Sequence, residues 1–492
     1  LMLDCSRCFL HVDYIKRYID LMARYKLNVL HLHLTDDQGW RPFIEAYPDL
    51  TRIGSLHASN QNTEGGYYSK AEMREIVEYA ASRYITVVPE IESPGHSMAA
   101  LAAYPWLGCV GEGYEVPYRI SVFPDVLCPG KESTYRFLED VWTEILEIFP
   151  SEVVHLGGDE VPKIRWMECA DCQAAMEREG LETPEELQSY FVGRVVDMLA
   201  EKGRRAIGWD EILEGGLAEG ALVMSWRGTE GGIAAAEMGH DVVMSPTTYC
   251  YFDYPVNVTD LAKTYSYDPT PAELAPAEAR HILGVQANMW THLVPQSGID
   301  HQIFPRLLAL AEIGWSPAER DYPDFRARVD EHLPWLESLG VDAGYPTFPA
   351  LDSSREPAWT RPARIETTIE TYMDYRPIRA FDGDTRDSFF WSARGLVEGD
   401  HFTLVLEEPM ALRHLRVLTA HPPSGHSRDV LLDGVLEISG DGERFEEVAR
   451  FAGEGAEADL GGQRVTAVRI RCLADQIEWL IIREIELTPQ SE

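Results

Sequence analysis

The chain has 492 residues, 45% of them apolar, which is too long for one ordinary domain and enough to bury a large core. Lys and Arg number 43 against 81 Asp and Glu, a net charge of −38 that repels polyanions and argues against nucleic acid and anionic lipid as partners. No run is long and apolar enough to insert in a membrane, no leader is visible, and eight Cys in this length make no disulfide scaffold.

Residues 1–4 read as a strand and 14–27 as a helix, with Ile15, Tyr18, Ile19 and Met22 at helical spacing. Strand two, 28–34, runs into Thr35-Asp36-Asp37-Gln38-Gly39-Trp40. Ser69-Lys70-Ala71-Glu72 has the form of a capping box and opens a helix to about 84. Strand three, 85–90, leads into Ile91-Glu92-Ser93-Pro94-Gly95-His96. A helix over 132–149 precedes strand four, 153–157, which ends in Gly158-Asp159-Glu160. Helix 184–202, with Pro184 in its first turn, strand five (205–209), strand six (221–226), helix 231–238, strand seven (241–245), strand eight (284–290) and helix 300–314 continue the alternation. Eight strands alternating with helices predict a (β/α)8 barrel over residues 1–340. The rival, a doubly wound sheet, would carry a Gly-rich phosphate loop after strand one, where this chain has Cys5-Ser6-Arg7-Cys8. Residues 341–362 are Pro-rich and read as a linker. Residues 363–492 read as an all-β jelly-roll sandwich, with strands at 401–406, 412–419, 435–439, 465–472 and 484–487 and turns at Asp433-Gly434 and Asp441-Gly442.

Barrel active sites lie at the C-terminal ends of the strands. The residues falling there are Asp36, Asp37 and Trp40 from strand two and Glu90, Glu92 and His96 from strand three. Strand four supplies Asp159 and Glu160, and strands five, six and eight supply Trp209, Trp226 and Trp290. Tyr249, Tyr251 and Asp253 follow strand seven. Two adjacent carboxylates in one pocket cannot both ionise cheaply, which suits one acid and one charged stabiliser. Capping of the next helix is the plainer reading of the pair. Carboxylates among aromatics suit a sugar, whose apolar ring faces pack on aromatic rings. Strand seven ends Met244-Ser245-Pro246 with no carboxylate, so the second carboxyl that a retaining glycosidase needs is missing there and a substrate group is expected to serve instead. The competing metal reading rests on His31-Leu32-His33, two imidazoles on one strand face, with His155 and His292 as further ligands. Hydrogen-bonded core histidines are the more frequent outcome of such spacing. Cys169-Ala170-Asp171-Cys172 is a lone CxxC; a structural zinc would need a second pair nearby, and with none there a local disulfide or two free thiols is expected. Cys109 and Cys128 bracket one loop and would pair in an exported protein.

Four pieces in order, His31-Leu32-His33-Leu34-Thr35-Asp36-Asp37-Gln38-Gly39-Trp40-Arg41, Pro89-Glu90-Ile91-Glu92-Ser93-Pro94-Gly95-His96, His155-Leu156-Gly157-Gly158-Asp159-Glu160 and Gln286-Ala287-Asn288-Met289-Trp290-Thr291, resemble glycoside hydrolase family 20, the β-N-acetylhexosaminidases. The resemblance covers residues 1 to about 340. It implies exo-acting removal of terminal β-linked GlcNAc or GalNAc with retention, without a cofactor or metal, through attack by the substrate's own acetamido oxygen and an oxazolinium ion. In that scheme Glu160 is the general acid and then base, and Asp159 orients and stabilises the acetamido group. His96 and Asp37 form a relay to Glu160. Trp209, Trp226 and Trp290 wall the acetamido pocket, Tyr251 bonds its carbonyl and Asp253 holds ring hydroxyls. Glu92 stands where the family commonly has Asp. His292 stands where many members have a Glu that contacts the C4 and C6 hydroxyls. The family's Arg before the first strand falls just ahead of Leu1, so a fragment is expected, with export to the periplasm or beyond slightly favoured. A glycan-binding protein with weakened catalysis is the alternative. Residues 361–492 resemble a discoidin-like (F5/8 type C) carbohydrate-binding sandwich through Ala380-Phe381-Asp382-Gly383-Asp384-Thr385, Phe390-Trp391-Ser392 and Leu436-Glu437-Ile438-Ser439-Gly440-Asp441-Gly442. That resemblance implies terminal-sugar binding, with Asp382 and Asp384 as ligands of a structural Ca²⁺ or as a plain turn. Asn257-Val258-Thr259 fits an N-glycosylation site. The oligomeric state is not legible.

Overall fold

The computed structural model describes every residue except 57–64, 257, 317–319, 344–362, 372–376, 382–388, 421–429, 477–478 and 491–492. The expected glycosylation site at Asn257 and the expected calcium ligands Asp382 and Asp384 lie outside the described residues, as does nearly all of the expected linker. The chain divides into two compact units, one of residues 1–254 and 259–345, the other of residues 255–258 and 346–492. Among the described residues no helix is long and apolar enough to cross a membrane.

The first unit is a parallel barrel. Its strands are β1 (Met2–Asp4), β2 (Val29–His33), β3 (Thr86–Glu90), β4 (Val153–His155), β5 (Arg205–Trp209), β6 (Leu222–Ser225), β7 (Val242–Met244) and β8 (Ile282–Val285), each paired in parallel with the next. The expected eighth strand, 284–290, is broken. Its first part, β8, pairs with β7, and after Gln286-Ala287 a two-residue strand β9 (Asn288–Met289) pairs with β1 and closes the ring. The break lets one segment serve both edges, with Gln286 N–H bonded to Met244 O and Met2 N–H to Ala287 O.

Side chains alternate along each strand, and the two faces have opposite chemistry. Leu30 and Leu32 of β2 are buried in the apolar layer beneath the outer helices, together with Ile15, Tyr18, Ile19 and Met22 of helix Val12–Arg24. The intervening His31 and His33 are buried as well, and their nitrogens meet Glu90 of β3. The helices start where the sequence says they should. Ser69 and Glu72 close the capping box of helix Lys70–Ala81, and Thr183 and Glu186 close a second one ahead of Pro184–Glu201. The single helix expected over 300–314 is two, Ile299–Ile303 and Arg306–Trp315. Pro305 has no N–H to continue the first.

The second unit is all-antiparallel β. Its strands are β10 (Ala363–Thr367), β11 (Phe390–Trp391), β12 (His401–Thr419), β13 (Gly434–Ser439), β14 (Glu446–Arg450), β15 (Gly455–Cys472) and β16 (Ile481–Pro489). Their order is β11-β16-β12-β15-β13-β14, with β10 on the free side of β12. The two strands expected at 401–406 and 412–419 are one, because bulges between Val405 and Met410 and between Leu412 and His414 bend the strand without ending it. Phe390, Phe402, Leu404, Leu436, Val468 and Ile470 form its core.

All eight Cys are free thiols. The reading of Cys169-Ala170-Asp171-Cys172 as a lone pair is corrected by the fold. The loops after β3 and β4 meet, and the sulphurs of Cys109, Cys128, Cys169 and Cys172 all lie within 4.8 Å of one another.

Candidate active site

Glu90, the last residue of β3, is wholly buried beneath the strand ends. Its carboxylate lies 3.0 Å from His31 Nε2 and 2.8 Å from His155 Nδ1, contacts His33 Nδ1, and accepts from the Trp209 indole N–H at 2.9 Å. Burial opposes its charge, but His155, His33 and His31 outweigh burial and hold the carboxyl well below the usual range. His33 also lies 2.8 Å from Asp36 through Nε2. The histidines that suggested a metal thus direct nitrogens at Glu90, and His33 directs one at Asp36 as well. His292, the fourth candidate ligand, is half-buried on the loop after β9.

Above this floor His96 joins the acids. Its Nδ1 lies 3.1 Å from Asp37 Oδ2 and 3.4 Å from Asp36 Oδ1. Its Nε2 lies 3.5 Å from Asp159 Oδ2 and 3.4 Å from Glu160 Oε2. Burial works against the imidazolium, but the charges of Asp36 and Asp159 overcome it and hold the His96 pKa well above its ordinary value. Asp37 accepts from Met98 N–H at 3.0 Å, and its carboxyl is raised, chiefly by burial. The Asp159 side chain is 12% exposed and that of Glu160 41%, so the inner acid is shielded and the outer one faces solvent. Asp159 Oδ1 is buried without a hydrogen-bond partner among the described residues.

The backbone here is unusual for cause. β4 stops at His155, and Gly157 and Gly158 take φ of 82° and 101°. A Cβ on Gly157 would run into Glu92 Oε2, and one on Gly158 would stand 2.7 Å from Ile212 Cγ2. His96 and Glu160 themselves have φ of 47° and 45°, a left-handed region that costs residues with a Cβ about 1 kcal/mol or more. Gly95 packs against Asp159 O, where a Cβ would stand 2.8 Å away, so the two loops interlock. Glu92 is buried under Gly157, and burial together with the charges of Asp159 and Glu90 raises its pKa well above the carboxylate range.

An aromatic cluster adjoins the acids. Trp209 and Trp290 have ring centroids 5.8 Å apart, Tyr251 and Trp290 6.3 Å, and Trp226 stacks on Tyr251 at 6.1 Å. Trp209 is 1% exposed and forms the base of the cluster. The Trp226 indole donates to Glu211 Oε2 at 2.8 Å, and burial pushes the Glu211 carboxyl up to about 8. Tyr251 and Asp253 sit on a loop held from below by the buried Arg306 guanidinium, which donates to Phe252 O at 2.6 Å and Tyr254 O at 3.1 Å. Burial pushes the Asp253 carboxyl up to about 8 as well.

Ten residues were expected at this site. The structure groups Asp37, His96, Asp159 and Glu160 around one imidazole and Trp209, Trp226, Tyr251 and Trp290 in one cluster, with Asp253 two residues beyond Tyr251 and His292 two beyond Trp290. Two of the wider set belong elsewhere. Trp40 is core, its N–H bonded to Pro42 O and its ring near Phe137. Tyr249 stacks on Tyr267 at 4.8 Å. Sequence reasoning passed over Arg7, which pairs with Asp36 at 2.6 Å and lies 5.0 Å from the Trp290 ring centre, and Asp4, which accepts from the backbone N–H of Ser6, Arg7 and Thr291. Both fall at the end of β1, where the strand-end rule would have found them.

Residues 1–318 match the family model described as glycosyl hydrolase family 20, catalytic domain. A β-hexosaminidase of Porphyromonas gingivalis is 46% identical over 360 residues, covering 70% of this chain and 46% of that protein, so the chain spans about half the length of this relative. The solved β-N-acetylhexosaminidase of Bacteroides fragilis is 37% identical with a TM-score of 0.64, covering 70% of this chain and 71% of that one. A mutant Streptomyces plicatus β-hexosaminidase in complex with its product GlcNAc is 36% identical with a TM-score of 0.62, covering 70% and 69%. With the family model matching well over half of its length and the barrel closed as described, the chain belongs to glycosyl hydrolase family 20.

Proposed function

We propose that the chain is an exo-acting, retaining β-N-acetylhexosaminidase that removes terminal β-linked GlcNAc or GalNAc from glycans by substrate-assisted catalysis. One observation carries this reading. Asp159 and Glu160 converge on His96 Nε2 at the strand ends, while the seventh strand ends in Ser245-Pro246 without a carboxylate. The nucleophile is then the carbonyl oxygen of the substrate's 2-acetamido group. It attacks C1 as the glycosidic bond breaks, and Glu160 gives its proton to the leaving oxygen. Asp159 accepts the acetamido N–H and offsets the positive charge of the oxazolinium ion. Glu160 then takes a proton from the water that opens this ion, which restores both the acid and the β configuration.

His96, charged and held by Asp37, sets the proton on Glu160. Trp209, Trp226 and Trp290 enclose the acetamido methyl, and Tyr251 donates to its carbonyl. Asp253 and His292 face ring hydroxyls, His292 bearing on the choice between gluco and galacto sugars. No step uses a cofactor.

Aryl β-glycosides of GlcNAc, GalNAc and glucose test the reading. The two N-acetyl sugars are cleaved, the glucoside is not, and GlcNAc-thiazoline inhibits tightly. Glucoside cleavage at a comparable rate overturns acetamido participation. For the second unit the discoidin-like reading, with terminal-sugar binding, is supported by its antiparallel architecture and by the Phe390-Trp391 edge strand. Retention of the full-length chain on immobilised galactose or GlcNAc, lost on removing residues 363–492, tests it.

A further inference from the structure

We propose that Cys109, Cys128, Cys169 and Cys172 form a structural zinc site that clasps the loop bearing His96 to the loop bearing Glu160. The sulphurs of Cys109 and Cys172 are 3.7 Å apart, those of Cys128 and Cys169 3.7 Å, and those of Cys128 and Cys172 3.5 Å. Zinc bound to four thiolates at about 2.3 Å is a tetrahedron whose edge is about 3.8 Å. Disulfide sulphurs stand at about 2.0 Å and join in pairs, whereas here Cys128 and Cys172 each have two sulphur neighbours. Each cysteine offers one sulphur, and no other ligand is needed to close the shell.

The local backbone suits the chemistry. Cys169 is the N-cap of helix Ala170–Glu179 and Cys172 lies in its first turn, so both sulphurs sit at the positive end of the helix, which favours thiolate. Cys128, Cys169 and Cys172 are buried in an apolar nest of Val126, Val161, Trp166 and Met176, which excludes competing water. Four thiolates selected by softness and tetrahedral shape point to zinc. Their protons leave to solvent as the metal enters.

The position explains the use. Cys109 and Cys128 belong to the long segment between His96 and helix Glu132–Leu146, which has little regular structure of its own. Beyond the cysteines, it is tied to the next loop by Trp166 Nε1 to Leu127 O at 3.0 Å and Arg165 to Asp125 at 2.8 Å. Val161, next to Glu160, packs in the same nest. A metal there fixes the relative position of the two loops that carry the acids, at a distance from the chemistry.

The test uses the full-length protein, purified under reducing conditions and passed over a chelating resin. About one zinc per chain is expected to remain, and titrating the four thiols with a mercurial should release it, in step with the mercaptides formed. Cobalt refolded into the apoprotein should show the visible bands of a tetrahedral tetrathiolate. Cys109→Ser, at the least buried of the four, should lose the tetrathiolate bands, retain zinc at least tenfold less against chelator, and lower the melting temperature. Zinc-free protein with two disulfides by mass, iron in place of zinc, or undiminished zinc retention in Cys109→Ser overturns the assignment.

Discussion

The inner and outer acids differ in one respect that decides their roles. The Asp159 side chain is 12% exposed, while Glu160, next in sequence, is 41% exposed and reaches solvent. A proton donor to a departing sugar must face the space that sugar leaves through, so in the proposed mechanism Glu160 is the group whose loss depends on the leaving group. Glu160→Gln should abolish hydrolysis of chitobiose yet leave measurable release of a nitrophenol, which departs without protonation. Equal losses on both substrates would contradict the acid role. Asp159→Asn keeps the shape and removes the charge. It should lower kcat on the GlcNAc aryl glycoside by about 100-fold, as for other lost electrostatic stabilisers. An unchanged kcat would sink the assignment. Both acids were legible in the sequence, because a β-branched run followed by two glycines and two carboxylates is a strand end. Their meeting at His96 was legible only through family resemblance, since Asp37, His96 and Asp159 lie on three separate loops.

The fourth strand is short for a reason that extends beyond itself. It stops at His155 because Gly157 and Gly158 turn the chain close against Glu92 and Ile212. Gly157→Ala meets both a left-handed φ of 82° and the Glu92 carboxyl, so it should cost about 2–3 kcal/mol in urea unfolding. Gly203→Ala, at φ 72° with nothing within 4 Å of the added carbon, pays strain alone and should cost about 1 kcal/mol. Equal costs would show that Glu92 yields freely. Capping boxes and the strand–helix alternation could be read from spacing, because they depend on neighbours within a few residues. The break in the eighth strand and the bent His401–Thr419 strand could not, because each is imposed by partners far along the chain.

A chain with a net charge of −38 that also buries carboxyls has a definite pH response. Glu211 and Asp253 are pushed up to about 8 from ordinary values of 4.5 and 3.8, first of all by burial. Between the low and the high value the unfolded chain has released protons that the folded chain keeps. Stability from these groups is therefore full below about pH 4 and is lost as the pH rises through about 8. Urea midpoints should fall from about pH 5 to about pH 8, and Glu211→Gln, which still accepts from Trp226, should flatten part of that slope. A slope unchanged in the variant would remove Glu211 from the account.

By itself the sequence determined the alternation that makes a barrel, the strand ends that display acids and aromatics, and the antiparallel character of the second unit. Those are local consequences of periodicity, glycine and capping chemistry. Only the tertiary structure decided how the barrel closes, why three buried histidines surround Glu90, and that Cys109 and Cys128 meet Cys169 and Cys172. The cysteines show the reason most plainly. Forty residues and a barrel strand separate Cys128 from Cys169, and no spacing rule spans that gap, because it is the packing of two loops on adjacent parallel strands that brings the sulphurs together.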